Sequence, residues 1–315
     1  MTAVPPEMRR WLDQLNQLVA EQRAKGVEAT PQMARDSLAG LTSTFVTDAP
    51  SIARITDGAL PANHGRPAIP VRVYDPDPER DLPVCLFFHG GGHMAGSVDV
   101  YDPIARKLAD CSGQLVVSAD YRRAPETPFP GGLNDCLEVA QGLWPLLDGL
   151  QVRYRKSLSL VGDSGGATFA ATVARRLAAD PDNRQPVHRQ VLIYPSLDYT
   201  MSTPAIRSNG EGYLLETTRI QWYFDHYFRN SEDRTAQSPL FMSVPDNMPA
   251  TLVITAGYCP LRDEGFAYAE KLRQAGINCE LHNHESMIHA YLNLENLARE
   301  ACQQTYAQIG RFLNE

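Results

Sequence analysis

Ser164 lies at the centre of the most informative motif in the chain. Residues 162–166 read GDSGG and fit the pattern G-x-S-x-G. An apolar run, Leu158–Val161, precedes the motif, and a helix-prone run, Ala167–Ala179, follows it. A strand, a sharp turn and a helix would expose the serine hydroxyl and direct backbone N–H groups toward developing negative charge. Ser164 is therefore predicted to be a nucleophile, the alternative being a Ser-Gly turn without chemistry.

A run of three glycines predicts a second part of the same chemistry. Residues 89–93 read HGGGH and follow the strand-like run Val84–Phe88. Because glycine has no Cβ, consecutive backbone N–H groups can approach a substrate oxygen closely, as the tetrahedral oxyanion of acyl transfer requires. A phosphate-binding loop is the rival interpretation, but neither G-x-G-x-x-G nor G-x-x-x-x-G-K-[ST] is present. The two motifs together indicate acyl transfer.

Alternating β-type and helical runs predict the elements that position these motifs. The predicted strands are Ala68–Tyr74, Val84–Phe88, Leu115–Ser118, Leu158–Val161, Val191–Tyr194, Thr251–Thr255 and Cys279–His282. The predicted helices are Tyr101–Asp110, Leu133–Leu147, Gly165–Ala179, Glu264–Ala275 and His289–Leu313. This alternation predicts an α/β fold with a mostly parallel central sheet, helices on both faces, and chemistry outside the carboxyl ends of the strands.

Two segments fall outside the alternation and are predicted to form a helical cap. The first 20 residues have apolar side chains at helical spacing, and a second short helix is predicted around Gln32–Leu41. The stretch Tyr199–Leu240 follows a strand but has aromatic residues in a helix-like pattern, and an insertion of this length is typical of a lid. We expect one domain, with a cap at about 1–45 and 199–238 and a catalytic core at about 46–198 and 239–315. Alternatively, both segments simply cover the sheet.

Composition limits the classes of partner. The 315 residues have a formal net charge of −8, with 43% hydrophobic and 21% charged residues, as in an ordinary globular protein. The acidic balance argues against nucleic acid, because phosphate binding needs clustered Lys and Arg. No apolar run is long enough to span a bilayer, and Met1–Arg10 lacks the apolar segment of a secretory signal. We therefore expect no membrane partner and a cytoplasmic protein, whose six cysteines are mostly small buried hydrophobic residues.

Four further segments give the chain a resemblance to a known family. Residues 120–126 (DYRRAPE) resemble its DYRLAPE segment, with Arg123 in place of the usual Leu, and residues 194–198 (YPSLD) resemble its YPxLD segment. Residues 260–265 (PLRDEG) resemble the end of its DPLRDEG segment, and residues 287–290 (MIHA) its MxHGF segment. With the GDSGG and HGGG motifs, the chain resembles the bacterial hormone-sensitive-lipase-like branch of the α/β-hydrolase superfamily. The resemblance implies a carboxylesterase that prefers short acyl chains, acts on a small-molecule ester, and needs no cofactor or metal.

The resemblance also implies roles for five residues of the two motifs and the MIHA segment. Ser164 would be the nucleophile, and His289 the general base that takes the serine proton and returns it to the leaving alkoxide. The backbone N–H groups of Gly91, Gly92 and Gly165 would form the oxyanion hole. Gly165 stands where the family commonly has Ala; it keeps the N–H group but is more flexible.

Side chains near these motifs are predicted to shape the substrate pocket. His93 stands where an aromatic residue often lines the acyl pocket of the family. The aromatic residues Tyr213, Trp222, Tyr223 and Phe224 of the predicted cap suggest a closed, apolar pocket. Such a pocket favours small hydrophobic esters over emulsified fat.

Cys259 marks a departure from the family pattern. The triad acid should directly precede Pro260, and the family expects Asp there. The acid holds the imidazole in the correct tautomer and stabilises the imidazolium, whereas a thiol is mostly neutral at pH 7. Four explanations are open. Asp198 or Asp263 serves as a substitute acid; Cys259 serves as a thiolate beside the histidine; the enzyme works slowly without an acid; or the chain is a catalytically silent protein that binds a small molecule.

Other chemistries fit less well. A cysteine hydrolase based on Cys259 would lack the elbow and helix that surround the serine. The cluster of His282, His284, Glu285 and His289 lacks the H-E-x-x-H pattern, so no metal site is predicted. If the last helix and the strand Cys279–His282 leave an exposed edge, a homodimer could cover it.

Overall fold

One eight-stranded sheet organises the computed structural model, which describes residues 2–62, 65, 67–183 and 185–315. The strands are β1 (Arg54–Leu60), β2 (Ile69–Asp75), β3 (Leu82–Phe88), β4 (Leu115–Ala119), β5 (Tyr154–Asp163), β6 (Val187–Ile193), β7 (Ala250–Ala256) and β8 (Cys279–His284). Their order is β1-β2-β4-β3-β5-β6-β7-β8, antiparallel at β1–β2 and β2–β4 and parallel elsewhere. The predicted mostly parallel α/β sheet is confirmed.

The seven predicted strands are all present, while β1 was missed. Strands β3 and β4 consist almost entirely of buried residues, which explains their continuous apolar runs. The sequence of β1, RITDGAL, has no such run, because this strand lies at the sheet edge and is only partly buried. An edge strand has a single neighbour and so needs less apolar side-chain surface.

Helices cover the sheet and extend over one end of it. They are α1 (Pro6–Ala24), α2 (Pro31–Phe45), α3 (Asp102–Ser112), α4 (Gly131–Gln141), α5 (Leu143–Gly149), α6 (Gly165–Ala179), α7 (Ala205–Ser208), α8 (Thr217–Tyr227), α9 (Arg234–Gln237), α10 (Arg262–Gln274) and α11 (Arg299–Asn314). Among the described residues, no helix is both long and apolar enough to cross a membrane.

Two predicted helices are each divided in the structure. The predicted helix Leu133–Leu147 is α4 followed by α5, because Pro145 has no N–H group to donate to the preceding turn. The predicted helix His289–Leu313 is a turn, a 3₁₀ helix at Tyr291–Leu297, and then α11. The left-handed conformation of Ala290, with φ of 59°, separates His289 from the 3₁₀ helix. His289 thus lies on a loop, which lets its ring point toward the end of the sheet.

The N-terminal helices contact the segment inserted after β6. Asn16 of α1 donates a hydrogen bond to the carbonyl oxygen of Gly212 at 3.1 Å, and Arg23 forms an ion pair with Glu216. Arg35 of α2 also hydrogen-bonds to the loop that precedes α4. The division of the chain into cap and core stays a prediction.

Candidate active site

Ser164 occupies the sharp turn between β5 and α6. Its backbone has φ of 52° and ψ of −122°, a conformation that non-glycine residues rarely adopt and that is often found at active sites. The turn packs tightly against β3: a Cβ at Gly166 would lie 2.0 Å from the carbonyl oxygen of Phe88. The predicted strand, turn and helix are therefore present, and only glycine fits at position 166.

His289 bridges Ser164 and Cys259. Its Nε2 atom lies 2.9 Å from Ser164 Oγ, and its Nδ1 atom lies 3.1 Å from Cys259 Sγ. The His289 side chain is only 5% exposed, and burial lowers the pKa of its imidazole to about 3. The imidazole is therefore neutral at pH 7, as a group that accepts a proton must be.

Cys259 contacts His289 Nδ1 as an uncharged group. It follows β7, is completely buried, and accepts a hydrogen bond at Sγ from the backbone N–H of Leu261 at 3.3 Å. Burial raises the pKa of the Cys259 thiol, so the sulfur is protonated at pH 7. A thiolate beside His289, one of the explanations from sequence, therefore does not fit this environment.

Asp198 and Asp263, the suggested substitute acids, bind other groups. The Asp198 carboxylate accepts hydrogen bonds from the backbone N–H and hydroxyl groups of Thr200 and Ser202 at 2.6–2.9 Å. The Asp263 carboxylate pairs with Arg262 at 2.9 Å and caps the backbone of α7. Within the described residues neither carboxylate contacts His289, so the fold directs both away from the imidazole.

The glycine loop, residues 89–93, lies beside Ser164 at the carboxyl end of β3. Gly91 has φ of 120°, which favours glycine, and a Cβ there would lie 2.2 Å from the carbonyl oxygen of Ala95. Gly91, Gly92 and Gly165 all line the same cavity as Ser164. The three predicted oxyanion-hole residues are therefore brought together at the cavity that contains Ser164.

A cavity of about 520 Å³ lies above Ser164 and is lined mainly by apolar side chains. Most of them come from α1, α2 and the segment that includes α8: Leu15, Val19, Leu38, Leu41, Phe45, Leu214, Leu215, Ile220, Tyr223 and Phe224. The ring of Tyr223 lies directly over Gly92, where a Cβ would come within 2.8 Å of it. The segments predicted to form a cap therefore supply most of the cavity wall.

The predicted pocket residues differ in their placement. His93 lines the cavity and is buried against Phe169 and Tyr227. Tyr213 and Trp222 do not line it in the described part of the chain, which corrects their predicted role. Tyr213 instead packs on Tyr258, with ring centroids 4.8 Å apart. Helical spacing alone did not show which face of the segment points inward.

His93 and Gly165 fit together in a way that sequence alone could not show. A Cβ at Gly165 would lie 3.2 Å from the His93 imidazole. The other side of the imidazole contacts Tyr199, whose hydroxyl lies 3.0 Å from Nε2. Glycine in place of the family's usual Ala therefore leaves room for the His93 ring.

The polar residues near His289 that were considered as metal ligands instead form hydrogen bonds with other parts of the chain. His284 Nε2 lies 3.0 Å from the hydroxyl of Thr305, and Glu285 accepts a hydrogen bond from Thr2. No group of three or more potential metal ligands occurs in the part of the chain that the structure describes. Asp163 also lines the cavity, although it was not predicted as a site residue. It lies at a variable position of G-x-S-x-G, where the pattern does not specify a residue type.

Comparisons with known proteins agree with this geometry. A family model described as an α/β-hydrolase fold matches residues 85–293. An ethyl acetate hydrolase of Pseudomonas putida is 34% identical over 252 residues, covering 78% of each chain, and carboxylesterase NlhH of Mycobacterium tuberculosis is 34% identical over 75% of each chain. The solved structure of a Pyrobaculum calidifontis esterase superimposes with a TM-score of 0.85 at 32% identity, covering 98% of both chains. The chain therefore belongs to the α/β-hydrolase fold family, in its esterase branch that resembles hormone-sensitive lipase.

Proposed function

We propose that this chain, a serine carboxylesterase, cleaves short-chain acyl esters through Ser164 and His289, with Cys259 as a neutral partner in place of the triad acid. The observation that carries the proposal is the 2.9 Å contact between Ser164 Oγ and His289 Nε2 at the base of an apolar cavity. The similar ethyl acetate hydrolase and carboxylesterase support this choice of substrate class.

The first half of the reaction forms an acyl-enzyme. Ser164 Oγ attacks the ester carbonyl carbon while its proton passes to His289 Nε2. The carbonyl oxygen becomes an oxyanion that accepts hydrogen bonds from the N–H groups of Gly91, Gly92 and Gly165. When the tetrahedral intermediate collapses, the carbon–oxygen bond to the alcohol breaks, and the imidazolium gives its proton to the leaving alkoxide.

The second half returns the enzyme to its resting state. Water attacks the acyl carbon as His289 accepts one of its protons, and the oxyanion again binds the same N–H groups. Collapse of this intermediate releases the carboxylic acid and returns the proton to Ser164 Oγ. No step needs a cofactor or a metal.

Cys259 preserves the orientation of His289 but not the charge of an acid. If Ser164 donates its hydroxyl proton to Nε2, Nδ1 carries the imidazole proton and donates it to the sulfur 3.1 Å away. This tautomer is the one needed for base catalysis. A neutral thiol stabilises the imidazolium much less than a carboxylate does, so turnover is slow.

A cytoplasmic location and a homodimer stay predictions.

Replacing the serine tests the proposal. We expect Ser164→Ala to abolish release of p-nitrophenol from p-nitrophenyl acetate and butyrate, with an unchanged circular dichroism spectrum. Activity equal to that of the unmodified chain would refute the serine mechanism. Binding of an ester without turnover in both proteins would instead favour the catalytically silent binding protein.

A further inference from the structure

Asp163 has a buried carboxyl group that the reaction described above does not use. It directly precedes Ser164 and is only 1% exposed. Among the described residues no Lys or Arg side chain contacts it, although a buried carboxylate is costly unless it is paired or hydrogen-bonded. Retaining such a group beside a nucleophile calls for a reason in the geometry.

Three hydrogen-bond donors from separate parts of the fold converge on this carboxylate. The backbone N–H of Gly90 donates to Oδ1 at 2.7 Å, and the hydroxyl groups of Tyr101 and Tyr194 donate to Oδ2 at 3.1 Å and 3.4 Å. Gly90 directly precedes the oxyanion residues, Tyr101 precedes α3, and Tyr194 follows β6. All three act as donors, which favours the ionised form of the carboxylate.

Two of these contacts lead directly to the reacting groups. Gly90 is part of the glycine loop, so its bond to Asp163 anchors the residue that directly precedes Gly91 and Gly92. The ring of Tyr194 packs edge-on against His289, with centroids 4.9 Å apart. The Asp163 carboxylate therefore links Gly90 of the glycine loop to Tyr194, which packs against His289.

We propose that Asp163 is a positioning residue. Its ionised carboxylate holds the glycine loop, through Gly90, in the geometry that binds the tetrahedral intermediate. The proposal rests on the proposed serine esterase mechanism. Asp163 acts through the loop and takes no proton from the substrate. A displacement of about 1 Å in such donors costs about a hundredfold in rate.

The surroundings of Asp163 allow its own protonation to be measured. Its neighbours Tyr101, Tyr121 and Tyr194 are neutral phenols whose pKa values are raised by burial. His89, which stacks on two of these rings, is neutral because burial lowers its pKa to about 3. Burial raises the pKa of Asp163 itself to about 7. Burial also lowers the pKa of His289, to about 3, so an inflection of kcat near pH 7 that disappears in Asp163→Asn would report Asp163.

The test compares Asp163→Asn with the unmodified chain and with Asp81→Asn, a matched control on an exposed carboxylate. Hydrolysis of p-nitrophenyl butyrate is measured from pH 5.5 to 9. We expect Asp163→Asn to lower kcat by about ten- to a hundredfold, to change KM by less than threefold, and to lose the inflection near pH 7. Binding of an aryl boronic acid, which forms a tetrahedral adduct, should weaken in parallel with kcat. The Asp81→Asn control should retain the kcat and the inflection.

Unchanged kcat in a folded Asp163→Asn protein, or a retained inflection, would overturn the proposal, as would a rise in KM alone. If Asp163→Asn does not fold, the variant Tyr101→Phe tests the proposal instead. Removal of one donor raises the pKa of the carboxylate, so the inflection should move to higher pH while kcat above it falls a few-fold. An unmoved inflection would overturn the proposal. Loss of activity in Ser164→Ala together with full activity in Asp163→Asn would refute only the role of Asp163.

Discussion

Replacing Cys259 with Asp should raise the turnover of the enzyme. The site is already arranged to receive a carboxylate: His289 Nδ1 lies 3.1 Å from the sulfur, and the N–H of Leu261 points at it from 3.3 Å. An aspartate oxygen at this place would accept both hydrogen bonds. The substitution therefore changes charge while keeping the orientation of the imidazole.

The size of the gain follows from the interaction between the carboxylate and the imidazolium that forms in the transition state. Two unit charges about 4 Å apart attract by about 4 kcal/mol at an effective dielectric constant of 20. At about 1.4 kcal/mol per factor of ten, this predicts a rise in kcat of about 10³-fold for Cys259→Asp. The KM should change little, because the charge interacts with the imidazolium only after proton transfer.

Steady-state hydrolysis of p-nitrophenyl butyrate at pH 8 measures this gain. Cys259→Ser is the matched neutral control, and its kcat should stay within about tenfold of that of the unmodified chain. The new carboxylate should also raise the pKa of His289, so a fall in kcat at acidic pH should become measurable in Cys259→Asp. A folded Cys259→Asp protein with unchanged or lower kcat would refute the assignment of position 259 as the acid site.

Three further predictions concern the elbow, the cavity and Asp163. Gly166→Ala would place a Cβ 2.0 Å from the Phe88 oxygen and displace the elbow, so kcat/KM for p-nitrophenyl acetate should fall by about a hundredfold or more; full activity would contradict this steric argument. Tyr223→Leu removes the ring over Gly92 and should raise KM several-fold across a series of acyl chain lengths, with kcat nearly unchanged; a fall in kcat alone would argue against a role in binding. Burial raises the pKa of Asp163 from 3.8 to about 7, so the folded state retains a proton that the unfolded state releases between these pH values. The free energy of unfolding should therefore fall as pH rises through this interval, by about 4 kcal/mol at most, and urea titrations of Asp163→Asn should lack this part of the slope; identical slopes would count against it.

Local patterns predicted the sheet and the elbow well. Helix α6 begins and ends where its sequence predicts, because the glycines at its start and the apolar spacing within it are local signals. Strand β1 and the break at Pro145 were missed. The first has a weak pattern because it lies at an edge, and the second depends on a single absent N–H group.

The candidate site was predicted in part. Ser164, His289 and Cys259 occupy one hydrogen-bonded chain, as the motifs and the resemblance imply. The inward-facing side of the inserted segment was not predictable, since it depends on how α8 packs over the glycine loop. Tyr223 therefore lines the cavity and Trp222 does not.

By itself, the sequence determined the chemistry available to this protein: a serine on an elbow, a glycine loop, a late histidine, and a cysteine where an acid is expected. Short motifs carry this information because backbone turns and residue types are local properties. Only the tertiary structure decided which groups meet. It directs the carboxylates of Asp198 and Asp263 to other partners and leaves His289 beside a neutral thiol. It also brings Asp163 within hydrogen-bond distance of the glycine loop. These outcomes depend on contacts between distant parts of the chain, and burial then sets the charge of each group.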